Sequence, residues 1–168
     1  TSAATTNGYK QSFLVDSGLT KEKNGKQYDG YRGRVIFPIH NLSGRPIGFG
    51  GRTLRTDKKT PKYVNSPQNA IYDKSRVLYG LYTAKKSIIQ NDNCFLVEGY
   101  TDVISMFQAG VQNVVSSSGT SLTVQQIALI SRFTKNITIL YDGDAAGIKA
   151  SFRGIDLILE QGMNVKVV

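Results

Sequence analysis

The sequence predicts a basic α+β subdomain followed by an α/β subdomain with a parallel sheet. Two observations lead to this fold class. After residue 93 the apolar pattern alternates between strands and helices, which is typical of a parallel sheet with right-handed crossovers. Positive charge is concentrated earlier, because residues 1–80 hold 14 Lys or Arg and 5 Asp or Glu, whereas residues 81–168 hold 7 of each kind. We therefore divide the chain into domains 1–92 and 93–168.

The bulk composition narrows the class of protein. The 168 residues, 40% of them apolar, suffice for one ordinary domain or two small ones. No apolar run approaches the ~18 residues of a membrane span, so we expect no membrane partner. The one Cys and one His exclude an internal disulfide and the usual zinc ligand sets, and we expect a reducing, cytoplasmic location. Because the chain opens on Thr1 and ends in a strand pattern, we expect a piece of a longer protein.

The first 30 residues predict one helix and one polar segment. Residues 7–18 indicate a short helix that carries Tyr9, Phe13 and Leu14 on one face. Residues 21–30 are polar and contain glycine, which indicates a loop or a loose hairpin.

A hairpin and a helix are expected next. The β-rich runs 35–40 and 46–52 flank a Gly-containing turn, and Pro38 favours an edge strand or a bulge. The second run contains three glycines, which indicate either a bulged strand or the close approach of a ligand: Gly48, Gly50 and Gly51. Residues 62–67 predict a short strand that runs into a turn. Residues 78–89 predict a helix, with an apolar stripe made of Leu78, Leu81, Tyr82, Ile88 and Ile89.

The second half alternates four strands with three helices. The strands are expected at 94–97, 113–117, 137–141 and 165–168, and the helices at about 101–109, 123–133 and 145–161. We expect Thr120 or Ser121 to cap the second helix and Gly162 to end the third.

Acidic residues follow two of these strands. Glu98 comes directly after the first strand, and Asp142 and Asp144 come after the third. Ligands of an open parallel sheet sit outside the carboxyl ends of its strands, where hard carboxylate oxygens suit Mg²⁺ or Mn²⁺. Asp144 instead fits a helix cap, in which case Asp142 is a loop acid. Asp102 lies in the first turn of a predicted helix, so a capping role is its default.

Polar residues elsewhere suggest contacts with phosphate and nucleic acid. The hydroxyl-rich turn 116–121 suits either phosphate binding at a helix start or ordinary capping. Residues 31–76 hold ten Lys or Arg against two acids, interleaved with tyrosines, which favours a single-stranded nucleic acid held by charge and stacking. The alternative is a solvated basic surface with no partner. We treat His40 as structural.

The motifs, in their order and spacing, resemble the catalytic RNA-polymerase domain of bacterial replicative primases of the DnaG type. The resemblance covers about residues 31–150. It rests on the segments RVIFPI (34–39), GFGGR (48–52), PKYVNSP (61–67), LYGL (78–81), VEGYTD (97–102) and YDGDAAG (141–147). The acidic motifs alone resemble any toprim domain, including those of topoisomerases and small nucleases. The basic-half motifs narrow the resemblance to primases.

The resemblance implies a basic subdomain that guides template DNA, clipped at its N-terminus, and a toprim subdomain cut short at its C-terminus. It implies Glu98, Asp142 and Asp144 as catalytic and metal-binding acids for Mg²⁺ or Mn²⁺, with Asp102 as an adjacent metal ligand. The residues expected to bind nucleotide and nucleic acid are Arg34, Arg52, Lys62, Tyr63, Asn65, Lys74 and Arg76.

The implied function is the synthesis of short RNA primers on a single-stranded DNA template from ribonucleoside triphosphates. The partners implied are that template, the triphosphates, the RNA primer and, through a region beyond this chain, the replicative helicase. Zinc is expected only in a separate module outside this chain. The family carries a further acidic pair after the strand that ends here at Val168, so we expect little or no activity from this chain alone.

Three rival functions stay open. One is another toprim-type enzyme, such as a nuclease or a topoisomerase-like protein. A second is a phosphatase-like hydrolase, because Asp142 follows an apolar strand as a nucleophilic Asp does. A third is a nucleic-acid-binding module with a decayed site.

Overall fold

Residues 1–56, 60–119 and 121–168 are described by the computed structural model of the chain. The chain forms two units, one made of residues 1–39 and 46–73 and the other of residues 40–45 and 74–168. The boundary at residue 92, which the change to strand–helix alternation indicates, stays a prediction about separate domains.

The first unit combines short helices with two small sheets. Its elements are α1 Ser2–Thr6, α2 Gln11–Asp16, β1 Thr20–Lys23, β2 Lys26–Asp29, β3 Arg34–His40, β4 Pro46–Thr53 and β5 Tyr63–Asn65. The strands β1 and β2 pair antiparallel, so the polar segment is a hairpin. The second sheet has the order β3-β4-β5, which puts Pro38 on an edge strand, as predicted.

Two glycines of β4 make room for tyrosine rings of the same unit. A Cβ atom on Gly51 would lie 2.6 Å from Cδ1 of Tyr31, and one on Gly48 would lie 3.0 Å from Cδ2 of Tyr72. The Tyr31 hydroxyl also donates a hydrogen bond of 3.0 Å to the carbonyl of Phe49. At both positions the space that the missing side chain leaves is filled by a ring, rather than being open to a ligand.

The helix predicted over residues 7–18 is wrong in its length and in its buried face. The helix α2 has only six residues, and of the expected face only Leu14 is buried. Tyr9 and Phe13 are 63% and 62% exposed. The physical reason lies at Gly8, whose φ of 84° ends the helical path before Tyr9.

The second unit is a parallel sheet flanked by helices. Its elements are a 3₁₀ turn Lys74–Arg76, α3 Leu81–Asn91, β6 Cys94–Val97, α4 Tyr100–Gln108, β7 Val114–Ser116, α5 Val124–Ile130, β8 Asn136–Ile139, α6 Ala145–Glu160 and β9 Asn164–Val167. The strand order is β7-β6-β8-β9, and all three pairs are parallel. The predicted fold class is confirmed.

The core of the second unit lies on its two central strands. Leu96 of β6 and Ile139 of β8 are fully buried, and Ile88, Ile127 and Ile158 pack on them from three helices. Burying one such side chain stabilises the fold by about 1.5–3 kcal/mol. Within the described ranges, no helix has both the length and the hydrophobicity that crossing a membrane requires.

The cap of α5 and the start of α3 differ from the prediction, whereas α6 starts at Ala145 as predicted. Thr123 caps α5, since its Oγ1 accepts a 3.1 Å bond from the Gln126 amide, while the Gln126 side chain accepts from the Thr123 amide at 3.2 Å. This reciprocal capping box replaces the expected cap at Ser121, and Thr120 lies outside the described residues. The helix α3 starts three residues later than predicted, because Gly80 adopts a left-handed φ of 85°. Tyr82 and Ile89 of its expected stripe are 39% and 59% exposed.

Candidate functional site

Two acids lie against each other at the carboxyl ends of the central strands. Glu98 directly follows β6, and Asp142 comes three residues after the end of β8. The amide of Asp142 donates a hydrogen bond of 2.9 Å to Oε1 of Glu98. Because β6 and β8 are parallel neighbours, their ends meet at one edge of the sheet, and the expectation that Glu98 and Asp142 lie at neighbouring carboxyl ends is confirmed.

The close approach of the two strand ends depends on Gly147. A Cβ atom there would clash with the carbonyl oxygen of Asp142 and would lie 2.8 Å from Oε1 of Glu98. Only glycine therefore lets the first turn of α6 pass over this pair. The glycine stands in the motif that the sequence singled out, but its role depends on a contact with Glu98, 49 residues away, that no local pattern shows.

Asp144 and Asp102 both cap helices. The Oδ1 atom of Asp144 accepts a 2.8 Å bond from the Gly147 amide at the start of α6. The Oδ2 atom of Asp102 accepts a 2.8 Å bond from the Gly99 amide at the start of α4. Both residues therefore cap a helix, which is the alternative role that we considered for each of them. Metal binding by either one stays a prediction.

The acids offer hard oxygen ligands but no preformed cage. Within residues 1–56, 60–119 and 121–168, no three His, Cys, Asp or Glu side chains are placed to hold one metal ion. Mg²⁺ is commonly bound by one or two carboxylates that are completed by water and substrate phosphates. The Glu98–Asp142 pair fits that kind of partial site, although it does not by itself define one.

A half-buried phenol stands beside Glu98. Burial, together with the negative charge of Glu98, raises the pKa of Tyr141 to about 12. The phenol is therefore neutral at physiological pH. It adds no negative charge to an edge that already carries Glu98 and Asp142.

A cleft of about 380 Å³ opens at this edge of the sheet. Glu98 and Tyr141 line it together with Ser117 and Ser121 of the hydroxyl-rich turn. The facing wall is α6, which contributes two basic side chains, Lys149 and Arg153. Sequence reasoning missed both of these cations. The signal that would have found them is their four-residue spacing on a predicted helix that begins at the acidic motif.

The predicted basic residues of the second unit lie in its 3₁₀ turn, which α5 holds in place. The side-chain amide of Gln126, which is fully buried, donates to the carbonyls of Lys74 at 3.1 Å and Val77 at 2.9 Å. Thr123 donates to the carbonyl of Ser75 at 2.6 Å. The turn that carries Lys74 and Arg76 is therefore fixed by hydrogen bonds from Thr123 and from the buried side chain of Gln126.

The other predicted basic residues belong to the first unit. Arg52 and Tyr63 are cross-strand partners on β4 and β5, and Cζ of Arg52 lies 5.7 Å from the centre of the Tyr63 ring. Lys62 is exposed just before β5, and Asn65 ends that strand. Three of these residues lie in one sheet and Lys62 lies next to it, and a role in binding nucleic acid stays a prediction for each of them.

Arg34 has a structural contact that the sequence did not indicate. Its Nη1 atom donates to the backbone carbonyls of Pro61 at 2.9 Å and Gly51 at 3.2 Å. The guanidinium therefore ties the segment before β5 to β4. His40, which we expected to be structural, has its ring 6.1 Å from the ring of Tyr82.

Two known families match the N-terminal and the C-terminal half of the chain separately. Residues 1–85 match the family described as DNA primase catalytic core, N-terminal domain, and residues 95–168 match the Toprim-like family. A DNA primase of Halalkalibacterium halodurans is 49% identical over 154 residues, which are 90% of this chain and 25% of that protein. The chain thus spans about a quarter of the length of the curated relatives it matches.

Solved structures show the same similarity. The Aquifex aeolicus primase, with its zinc-binding and RNA polymerase domains, has a TM-score of 0.91 at 42% identity, covering 99% of this chain and 41% of that one. A DnaG primase catalytic domain bound to single-stranded DNA has a TM-score of 0.85 at 40% identity, covering 96% of this chain and 53% of that one.

Proposed function

This chain belongs to the family of the DNA primase catalytic core, and on that premise we propose that it is part of a cytoplasmic enzyme that synthesises short RNA primers on single-stranded DNA. The observation that carries the proposal is the hydrogen bond between Asp142 and Glu98. It joins the two acid-terminated strands at the edge where a parallel sheet binds its ligands.

The proposed reaction extends an RNA primer by one nucleotide. The 3′-hydroxyl oxygen of the primer forms a bond to the α-phosphorus of a ribonucleoside triphosphate. The bond between the α-phosphorus and its bridging oxygen to the β-phosphate breaks. Pyrophosphate leaves, and the hydroxyl proton passes to solvent. Much of the catalysis of phosphoryl-group transfers of this kind comes from positioning and charge neutralisation, so the protein needs few reactive side chains.

Glu98, Asp142 and Asp144 are the proposed ligands of Mg²⁺ or Mn²⁺, with Asp102 adjacent. A bound divalent ion neutralises phosphate charge and orients the substrate. Hydrogen bonds made by these residues position the strand ends and helix starts around the proposed site. Glu98 accepts the Asp142 amide and so holds the two strand ends together, while Asp144 and Asp102 fix the starts of α6 and α4.

Template binding is assigned to the basic residues. We assign phosphate contacts to Arg52, Lys62, Lys74 and Arg76, base stacking to Tyr63, and nucleotide contacts to Arg34 and Asn65. Support comes from the net charge of +9 and from the relative whose catalytic domain is bound to single-stranded DNA. The family also supports ribonucleoside triphosphates and the RNA primer as partners, and the replicative helicase through a region outside this chain.

Two neutral substitutions test the acids. In the complete protein, Glu98→Gln and Asp142→Asn should each lower primer synthesis at least 100-fold, because each removes a charge that holds the ion against the triphosphate. Synthesis is measured on a single-stranded template, and circular dichroism checks the fold. Asp156→Asn removes the same charge from an exposed position of α6 and should retain synthesis. Near-normal synthesis by either site variant would remove that acid from the mechanism.

One observation favours a second candidate, a nucleic-acid-binding module without a metal. No three-acid cluster is formed in the described part of the chain. A titration with Mn²⁺ separates the candidates, because a module of this kind should bind single-stranded DNA equally well before and after Glu98→Gln and should show no Mn²⁺ binding that this variant removes.

A further inference from the structure

We propose that Lys149 and Arg153 form a subsite for a polyphosphate in the cleft next to Glu98. The ligand chemistry is that of linked phosphates, present in the β- and γ-phosphates of a nucleoside triphosphate and in free pyrophosphate. The inference rests on the proposed nucleotidyl transfer, which has the first as a substrate and the second as a product. It adds two residues of α6 to a site that is otherwise made of strand-end acids.

The two cations point to the same place because of their spacing. Residues four apart on a helix lie on one face, with Cβ atoms about 5–6 Å apart. Both residues line the same cleft, and both belong to the sixteen-residue helix α6 that starts directly after Asp144. A helix of that length, anchored by a capped first turn, holds its side-chain positions more rigidly than a loop would.

Neither cation is used by the fold. Within the described residues, no acid forms an ion pair with Lys149 or Arg153. Asp156 lies three residues after Arg153 but forms no ion pair with it. Two like charges one helical turn apart repel each other, so the arrangement opposes helix stability unless an anion lies between them. Both side chains are exposed and line the cleft, so the pair is available to an anionic ligand.

The cleft has the size and the charge balance for this ligand. Its volume of about 380 Å³ lies within the range of small-molecule sites, about 300–1,000 Å³. Besides the two cations, α6 lines the cleft with Leu157 and with three small residues: Ala146, Ala150 and Gly154. Glu98 is the one acid among the described lining residues, so two positive charges face one negative charge.

One wall of the cleft also carries hydroxyl groups. Ser117 and Ser121 line the cleft from the turn that follows β7. A guanidinium binds two phosphate oxygens side by side, and an ammonium group acts as a point charge. Arg153 and Lys149 together thus match two adjacent phosphate groups better than a single isolated one.

The test measures binding without metal and without turnover. Sodium pyrophosphate is titrated calorimetrically into the chain in the presence of a chelator. The double variant Lys149→Gln with Arg153→Gln should weaken binding at least tenfold. The control removes the same two charges from exposed positions outside the cleft, Arg132→Gln with Lys135→Gln, and should change the affinity less than twofold. An equal loss in both double variants would show general charge attraction and would overturn the proposal.

A third variant separates this proposal from the proposed function. Glu98→Gln removes the acid that opposes an anion in the cleft, so pyrophosphate should bind severalfold more tightly without metal. Weaker binding by this variant would contradict the proposed placement. The same variant should abolish primer synthesis in the complete protein, so the two proposals can fail separately.

The source of the phosphates is tested with two further ligands. If the α6 double variant binds both ATP and pyrophosphate more weakly than the parent does, the triphosphate tail is an occupant of the subsite. If the double variant binds ATP as tightly as the parent does but binds pyrophosphate more weakly, the occupant is the pyrophosphate product. If a single-stranded oligonucleotide loses affinity while pyrophosphate does not, the cations bind a nucleic-acid backbone, and the polyphosphate subsite is wrong. Thermal unfolding of each variant confirms that it is folded.

Discussion

At the scale of single residues, Gly147 connects the acidic motif to the fold. It lies in the first turn of α6, where any side chain would meet the Asp142 carbonyl and Glu98. The acid–glycine spacing is therefore a packing requirement as well as a chemical one. Glu98 accepts a hydrogen bond from the Asp142 amide through one carboxylate oxygen, so the geometry of both acids depends on Gly147.

Gly147→Ala should therefore lower the free energy of unfolding by about 1–3 kcal/mol, the usual cost of overpacking. This exceeds the ~1 kcal/mol that alanine gains over glycine in a helix. Urea unfolding measures the change. Gly143→Ala is the control, since a Cβ there meets nothing within 4 Å, and it should stay within about 0.5 kcal/mol of the parent. Equal stability of both variants would show that the turn moves aside freely.

Tyr141 predicts a pH dependence of stability. Its pKa is raised to about 12 in the folded chain, against about 10 in an unfolded one. The folded state holds the proton more tightly, so the stabilisation is complete below pH 10 and is lost as the pH rises toward 12. Between pH 9 and pH 11 the unfolding free energy should fall by about 1 kcal/mol from this residue.

Urea unfolding at both pH values, in the parent and in Tyr141→Phe, isolates that contribution. Between pH 9 and pH 11, the unfolding free energy of Tyr141→Phe should fall by about 1 kcal/mol less than that of the parent. Tyr31, Tyr72 and Tyr79 also have pKa values raised by burial, so the parent's total loss is larger and only the difference is diagnostic. Identical pH dependence in the two proteins would refute the assignment to Tyr141.

At the scale of elements, α5 positions the 3₁₀ turn that carries Lys74 and Arg76. The buried amide of Gln126 bonds two carbonyls of the segment 74–77, and Thr123 bonds a third. The residues that hold the basic turn are therefore 48 to 52 positions away from it along the chain. The capping box on Thr123 and Gln126 is visible in the sequence, but this second use of the same two side chains is not.

Gln126→Leu should destabilise the chain by about 1–3 kcal/mol, because it removes two hydrogen bonds donated by a fully buried side-chain amide, at ~0.5–1.5 kcal/mol each. Gln125→Leu is the matched control, since Gln125 is the exposed neighbour on the same helix and its change should stay within about 0.5 kcal/mol. Thermal or urea unfolding compares the two. A similar loss in both variants would mean that the hydrogen bonds to the turn contribute nothing.

At the scale of the whole molecule, charge divides unevenly between the two units. The first unit carries 11 Lys or Arg and 5 Asp or Glu, and the second carries 10 and 7. A surplus of this kind binds polyanions by releasing their counterions, which makes the affinity depend on salt. The first unit contributes an exposed cation, Lys62, next to the Arg52–Tyr63 pair.

Lys62→Ala should weaken binding of a single-stranded oligonucleotide without regard to its sequence. It should also lower the slope of log affinity against log salt by about 0.7, the value for one phosphate contact on a single strand. Lys23→Ala removes the same charge from an exposed hairpin position of the first unit and should leave the slope unchanged. An affinity that is equal at low and high salt would contradict electrostatic binding altogether.

The sequence by itself determined the fold class, the parallel sheet of the second unit and the pairing of Glu98 with Asp142. These follow from local periodicity and from the rule that parallel strands end at a common edge, so residues 44 apart could be placed together in advance. Strand positions in the second unit were predicted to within two residues, because a buried run of apolar residues has few alternatives.

Only the tertiary structure decided the short helix near Gly8, the hydrogen bonds of Gln126 to the 3₁₀ turn, the carbonyl contacts of Arg34 and the tyrosine rings over Gly48 and Gly51. It alone brought Lys149 and Arg153 to the cleft beside Glu98. The physical reason is the same in each case. Tertiary packing decides turn geometry at glycine, hydrogen bonds between distant segments and the orientation of a helix face toward a sheet edge. No periodic pattern along the chain specifies these contacts.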